Sequence, residues 1–141
     1  MIANLRDQLE RDEGRRAAVY PDSLGYWTIG VGICVDARKG CGLLPEEIDF
    51  ILDNRIAKAR KELSSILPWT DTLDSIRRDA LVNLVFNLGI SGLVEFRHFL
   101  AALQLGDWPT AKAQLLDSTA DHQEPARIGR LAEQILTGQW Q

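Results

Sequence analysis

The chain is poor in most of the residues that build special-purpose architectures. Two cysteines in 141 residues are too few for a disulfide scaffold, and 11 glycines without a fixed period exclude collagen. The two histidines, His98 and His122, stand in different segments, so no zinc-ligand spacing exists and no metal or cofactor is expected. No run approaches the roughly 18 apolar residues of a membrane helix, so stable membrane insertion is not expected. The opening M-I-A-N-L-R-D-Q-L-E-R-D-E-G-R-R places charges where a signal peptide carries its apolar stretch. A basic excess is missing too. Sixteen Lys and Arg against 20 Asp and Glu give a net charge of −4, with the two signs interleaved. Nucleic-acid binding by clustered cations is therefore excluded. What remains, 45% apolar and 26% charged, is the balance of a soluble folded domain.

The spacing predicts a first helix over residues 2–13, with Leu5, Leu9 and Glu13 at i, i+4 and i+8 on one face, stopped by Gly14. A-A-V-Y-P-D-S-L-G-Y-W-T-I-G-V-G then reads as two short strands about a turn. Pro45-Glu46-Glu47 opens a helix whose 3.6-residue beat runs to Ile66, long enough to link two lobes. Asp74 is placed to cap a helix ended by Gly89 and Ser91 another ended by Gly106, Asp107 precedes a third with Pro109 in its first turn, and Glu124-Pro125 opens a last one to Gly138. The fold class expected is α+β, mostly α, as a single domain: helix 2–13 packing on the large lobe, a small lobe at 14–44, a linking helix at 45–66 and a helical lobe at 67–141.

Two acids are candidates for chemistry. Glu13 continues the apolar face of its helix, where burial would raise its pKa toward the range of a general acid. A helix-terminal glutamate that reaches solvent past Gly14, or bonds a core arginine, is the plainer account. Asp22 lies in the turn after Tyr20-Pro21, a position that serves either function or ordinary turn formation. Thr28 follows six residues on in the second strand. A carboxylate on a helix face and another in a nearby turn is an arrangement glycoside hydrolysis can use.

The run R-D-E-G-R-R-A-A-V-Y-P-D-S-L-G-Y-W-T-I-G-V-G from Arg11 to Gly32 closely resembles the signature of the phage-type lysozymes, glycoside hydrolase family 24: a Glu-Gly pair, a Y-x-D turn, then G-Y-x-T-I-G-x-G. R-R-D-A-L-V-N-L-V-F-N-L-G from Arg77 to Gly89 resembles the family's central helix, and Q-E-P-A-R-I-G-R from Gln123 to Arg130 the opening of its last helix. The resemblance spans nearly the whole chain. It implies a two-lobed lysozyme-like fold and an endolysin acting on bacterial peptidoglycan. It implies Glu13 as the general acid, Asp22 as the second carboxylate and Thr28 as a hydroxyl helping to hold the attacking water. The anomeric centre would be inverted, with carboxyl groups roughly 6.5–9.5 Å apart. Arg127 matches an arginine that pairs with the acid and fixes its orientation, and Phe86 and Asn87 fall where the family places an aromatic residue and an amide near the sugar. Plain core is an equal account of Phe86, and a backbone bond near Gly89 an equal account of Asn87.

Three features depart from the family pattern. Ile33-Cys34 stands where many relatives carry His or Arg after the glycine motif, the small lobe is short, and T-A-D-H-Q-E precedes Pro125. Asp121 and His122 in that stretch read as surface loop residues. Cys34 and Cys41 flank V-D-A-R-K-G and can close a disulfide if their Cα atoms come within about 7 Å, in an oxidising compartment. The expectation is a monomeric, metal-independent muramidase made in the host cytoplasm and reaching the wall through a holin-type membrane protein. An inactive peptidoglycan-binding relative and a lytic transglycosylase are the rivals, the latter needing no Asp22.

Overall fold

The computed structural model describes residues 4–141. Its described residues form α1 (Leu5–Glu13), β1 (Arg16–Pro21), β2 (Trp27–Gly30), β3 (Ile33–Cys34), α2 (Pro45–Ile66), α3 (Ser75–Val94), α4 (Arg97–Gln104), α5 (Trp108–Leu116), α6 (Thr119–Gln123) and α7 (Pro125–Thr137). This is an α+β, mostly helical fold. The chain divides into two compact units, one up to Phe50 and one from Ile51 to Gln141, with the boundary inside α2.

In the N-terminal unit, the Asn4 side chain accepts from the Asp7 amide to start α1, and Gly14 at φ 76° ends it. Ile2 lies outside the described residues. β1, β2 and β3 form an antiparallel sheet in that order, with Tyr20 opposite Thr28 and Thr28 opposite Cys34. The expected apolar face of α1 is not buried: Leu5 is 67% and Leu9 45% exposed, and no residue of the helix is buried. Apolar spacing alone therefore overstates burial here. Up to Phe50 the buried side chains among the described residues are the polar Thr28 and Asp36. Hydrogen bonds and a covalent link, not an apolar core, hold this unit.

The C-terminal unit is built the opposite way. Leu81 and Leu84 of α3, Phe99 and Leu103 of α4, Leu115 of α5 and Ile128 and Ile135 of α7 are among its fully buried side chains. Each such burial is worth about 1.5–3 kcal/mol. Polar bonds then fix the packing angle of α7. The buried Gln134 donates from Nε2 to the Ile76 carbonyl at 2.8 Å. Arg77 donates to the last carbonyls of that helix, Ile135 at 2.7 Å and Leu136 at 3.1 Å, with its guanidinium 4.3 Å from the Trp108 ring centre. Orphan carbonyls and helix dipole are satisfied together.

Two boundaries differ from the sequence reading. Gly89, at φ 74° and ψ 161°, does break the helix, but the chain resumes helical turns through Val94, and the next clear break comes at Phe96, which caps α4 without a side-chain bond. Ser91 is thus inside a helical run. The stretch before Pro125 is not a loop: Ser118 caps α6 by accepting from the Asp121 amide, and Ala120 is buried beneath it. Asp121 and His122 are helical, with the His122 Nδ1 3.0 Å from the Ser118 carbonyl.

Candidate functional site

Glu13 is the last residue of α1 and is exposed, not buried. What positions it is a glycine. A Cβ built at Gly32 would lie 2.5 Å from Glu13 Oε2 and 2.7 Å from its Cδ, and Gly32 has φ +67°. The Glu13 carboxyl therefore rests on the bare backbone of the β2–β3 turn, at a place no other residue leaves open. Position 32 is the final glycine of the G-x-G motif, which gives that motif a physical purpose.

Asp22 sits at the β1–β2 turn. Its backbone N–H donates to the Tyr26 carbonyl at 2.9 Å, and its Oδ1 accepts from the Leu24 amide at 2.8 Å and the Tyr26 amide at 2.9 Å. These bonds favour the charged form. With the Tyr26 amide the largest cause, they hold the carboxyl below its ordinary pKa, and the Lys39 charge adds to the effect. Turn formation and a fixed, ionised carboxylate are here the same set of bonds. Thr28 is 4% exposed, and its hydroxyl donates to the Tyr26 carbonyl at 3.2 Å, leaving oxygen lone pairs for a further donor.

Behind this hairpin lies a clasp that sequence reasoning missed. Asp36, 3% exposed, accepts from the Trp27 amide of β2 at 3.0 Å and from the Arg38 amide at 2.9 Å, and it is ion-paired with the Arg38 guanidinium. The Arg38 side chain, first among the causes, and the Trp27 amide hold the Asp36 carboxyl far below the usual carboxylate range. Arg38 also donates to the Gly25 carbonyl at 3.0 Å, inside the Asp22 turn. Lys39 Nζ stands 5.0 Å from the Tyr26 ring centre. Cys34 and Cys41 are joined as a disulfide around this loop, with Cα atoms 5.6 Å apart. The Asp-x-Arg triplet between two cysteines is the signal that would have found it, since Asp bonds its own backbone two residues on.

The remaining candidates lie in the C-terminal unit. Arg127, in the first turn of α7, donates through Nε and Nη2 to Asn83 Oδ1 at 3.0 and 2.8 Å, and through Nη1 to Glu124 Oε2 at 3.3 Å. Asn87 donates from Nδ2 to Glu124 Oε1 at 3.0 Å, so its bond runs to α7 and not to local backbone. Phe86 is 48% exposed, which removes the plain-core account. It borders a cavity of about 370 Å³ with Val82, Asn83, Arg127 and Trp140. The Asn87 amide first, then Arg127, lowers the Glu124 pKa.

The sequence matches the phage lysozyme family over residues 10–126, a span that includes Glu13, Asp22, Thr28, Phe86 and Asn87 and stops one residue short of Arg127. It is 27% identical to "Probable T4-type lysozyme 1" of Dictyostelium discoideum over 98% of this chain and 96% of that protein. It is 28% identical to "Pre-baseplate central spike protein Gp5" of Enterobacteria phage T4 over 96% of this chain and 28% of that protein. It is 32% identical to "Endolysin" of Salmonella phage P22 over 60% of each. The chain belongs to the phage lysozyme family and is by that membership a peptidoglycan hydrolase of the muramidase type.

Proposed function

We propose that the protein hydrolyses the β-1,4 bond between N-acetylmuramic acid and N-acetylglucosamine, with inversion at the anomeric carbon. The observation that carries this reading is the turn that seats the Glu13 carboxyl on Gly32, in the same unit as an Asp22 carboxylate fixed by two amides. Glu13 protonates the leaving glycosidic oxygen. Asp22, kept ionised, takes a proton from water on the opposite face of the sugar, and the Thr28 oxygen accepts a hydrogen bond from that water. By the resemblance to the family, Arg127 is assigned to orienting the acid and Phe86 and Asn87 to contacting the glycan.

The biological setting that fits is host lysis by a monomeric endolysin, a role supported by similarity to the P22 protein of that name. In this setting the enzyme accumulates in the host cytoplasm and reaches the wall through a lesion made by a separate holin-type protein. Lysis on expression without that partner would count against it.

Product analysis on purified peptidoglycan tests the chemistry. Reducing muramic ends of inverted anomeric configuration are expected from the wild type and not from Glu13→Gln. 1,6-Anhydro ends would mean transglycosylation, binding without cleavage would mean an inactive relative, and equal clearing by both proteins would remove Glu13 from the mechanism.

A further inference from the structure

Glu124 is the N-cap residue of α7, yet its carboxylate makes no capping bond. It reaches across to α3, where Oε1 takes the Asn87 amide while Oε2 takes Arg127. Arg127 is itself anchored on Asn83, one helical turn before Asn87 on α3. The four side chains form a chain of hydrogen bonds from Asn83 through Arg127 and Glu124 to Asn87. The chemistry of each link sets the polarity of each amide. An amide facing a carboxylate must offer its N–H, so Asn87 turns its carbonyl oxygen away from Glu124, and an amide facing a guanidinium must offer its oxygen, so Asn83 turns its N–H groups away from Arg127.

We infer that Glu124 is a positioning residue for glycan recognition: held by Arg127, it fixes the side-chain amide of Asn87 so that the carbonyl oxygen is presented as an acceptor for a hydroxyl or amide N–H of the bound sugar. This inference rests on the hydrolase reading above and adds a residue to it. Without Glu124 the Asn87 amide is free to rotate, and half of its orientations offer the wrong group. An interaction that works in the bound ground state as well as in the transition state affects KM first. Because Glu124 and Asn87 act as one unit, their effects do not add.

The experiment uses the full chain and soluble, uncrosslinked peptidoglycan glycan strands. Glu124→Ala is expected to raise KM about tenfold with kcat changed less than about threefold, the size of one charge-assisted hydrogen bond. Asn87→Ala has the same effect, and the double variant is no worse than either single one. Glu124→Gln, with one oxygen to share between Asn87 and Arg127, falls between wild type and Glu124→Ala and guards against a folding defect in the alanine variant. In parallel, the Asn87 side-chain amide resonances, identified by their loss in Asn87→Ala, shift in Glu124→Ala. Additive losses, a fall in kcat at constant KM, or unmoved amide resonances would overturn the inference. A wild type that cleaves no glycan would overturn the hydrolase reading instead, while the amide resonances still decide whether Glu124 holds Asn87.

Discussion

Reduction of the Cys34–Cys41 bond is the perturbation to which the N-terminal unit is most exposed. The bond closes a loop with a sequence separation of 7. On the chain-entropy account a loop of that size confers about 2.5 kcal/mol at 25 °C, mostly by restricting the unfolded chain. That is a large share of the stability of a unit whose buried side chains, among the described residues, are Thr28 and Asp36. The loop also carries Asp36, which ties down the Trp27 amide, and Arg38, which ties down Gly25, so opening it loosens the turn that holds Asp22. If all 141 residues melt cooperatively, the loss lowers Tm by about 8 °C; if residues up to 50 melt by themselves, the shift is more than twice that. The assay is thermal unfolding by circular dichroism with and without a phosphine reductant, on protein shown by mass and thiol alkylation to start oxidised. The Cys34→Ser/Cys41→Ser double variant should match the reduced wild type and ignore the reductant. A Tm unchanged within 1 °C on full reduction would refute the clasp, as would free thiols in protein prepared under oxidising conditions.

Further outcomes are expected from single positions. Gly32→Ala should cut kcat/KM on peptidoglycan by about 100-fold, because its Cβ occupies the place of the Glu13 carboxyl. Gly30→Ala is the control: it shares the φ of +67° but meets only Ile33 Cδ1 at 3.4 Å, so it should lose stability and keep activity, and equal losses from both would refute the seating argument. Asp36 and Asp22 have folded pKa values below their unfolded ones, so the stability they contribute is present above about pH 4 and lost as pH falls through the folded values. Tm should therefore hold nearly level from pH 7 to 5 and fall below pH 4, and in Asp36→Asn it should start lower and fall less; an identical slope in the variant would count against this. Arg77→Ala should cost about 2–3 kcal/mol in urea unfolding by orphaning the Ile135 and Leu136 carbonyls, and Arg77→Lys should recover only part, since an ammonium cannot serve both carbonyls while stacking on Trp108.

The helical half of the fold was legible because its signals are local and redundant. Asp74 caps its helix as expected, Asp107 precedes α5 as expected and also caps it, Pro125 opens α7, and Gly89 and Gly138 take the positive φ that ends helical turns. Buried side chains follow the 3.6-residue beat, as Ile128, Leu131 and Ile135 show. The signals failed where a short polar segment folds on its own account. T-A-D-H-Q-E has turn composition, yet Ser118 supplies a cap and Ala120 a buried anchor, enough for one helical turn and a little more. On α1 the beat carries less: periodicity reports which residues share a face, as Leu5 and Leu9 do, and not how deeply that face is buried.

The same distinction explains the candidate site. Glu13, Asp22 and Thr28 stand out only through a motif, because a carboxylate at a helix end, an aspartate in a turn and a threonine in a strand are each ordinary in isolation. What makes them unusual is the absence of slack around them. Glu13 rests where a Cβ is missing, Asp22 spends two amides on one oxygen, and Thr28 is pinned between Tyr20 and Cys34 in the sheet. None of these constraints uses apolar burial. They fix the direction of both carboxyl groups, and the amides on Asp22 also keep that one ionised, which proton transfer at a sugar acetal requires of its base. The cost is a unit whose order depends on polar bonds and one covalent link, so its local opening should be far easier than that of the C-terminal core. Amide hydrogen exchange measures this directly. Trp27, whose amide is held by Asp36, should exchange faster on reduction of the disulfide, while Leu84 and Ile135 in the other unit should not change; equal acceleration at all three would mean that the two units unfold as one and that the clasp has no separate existence.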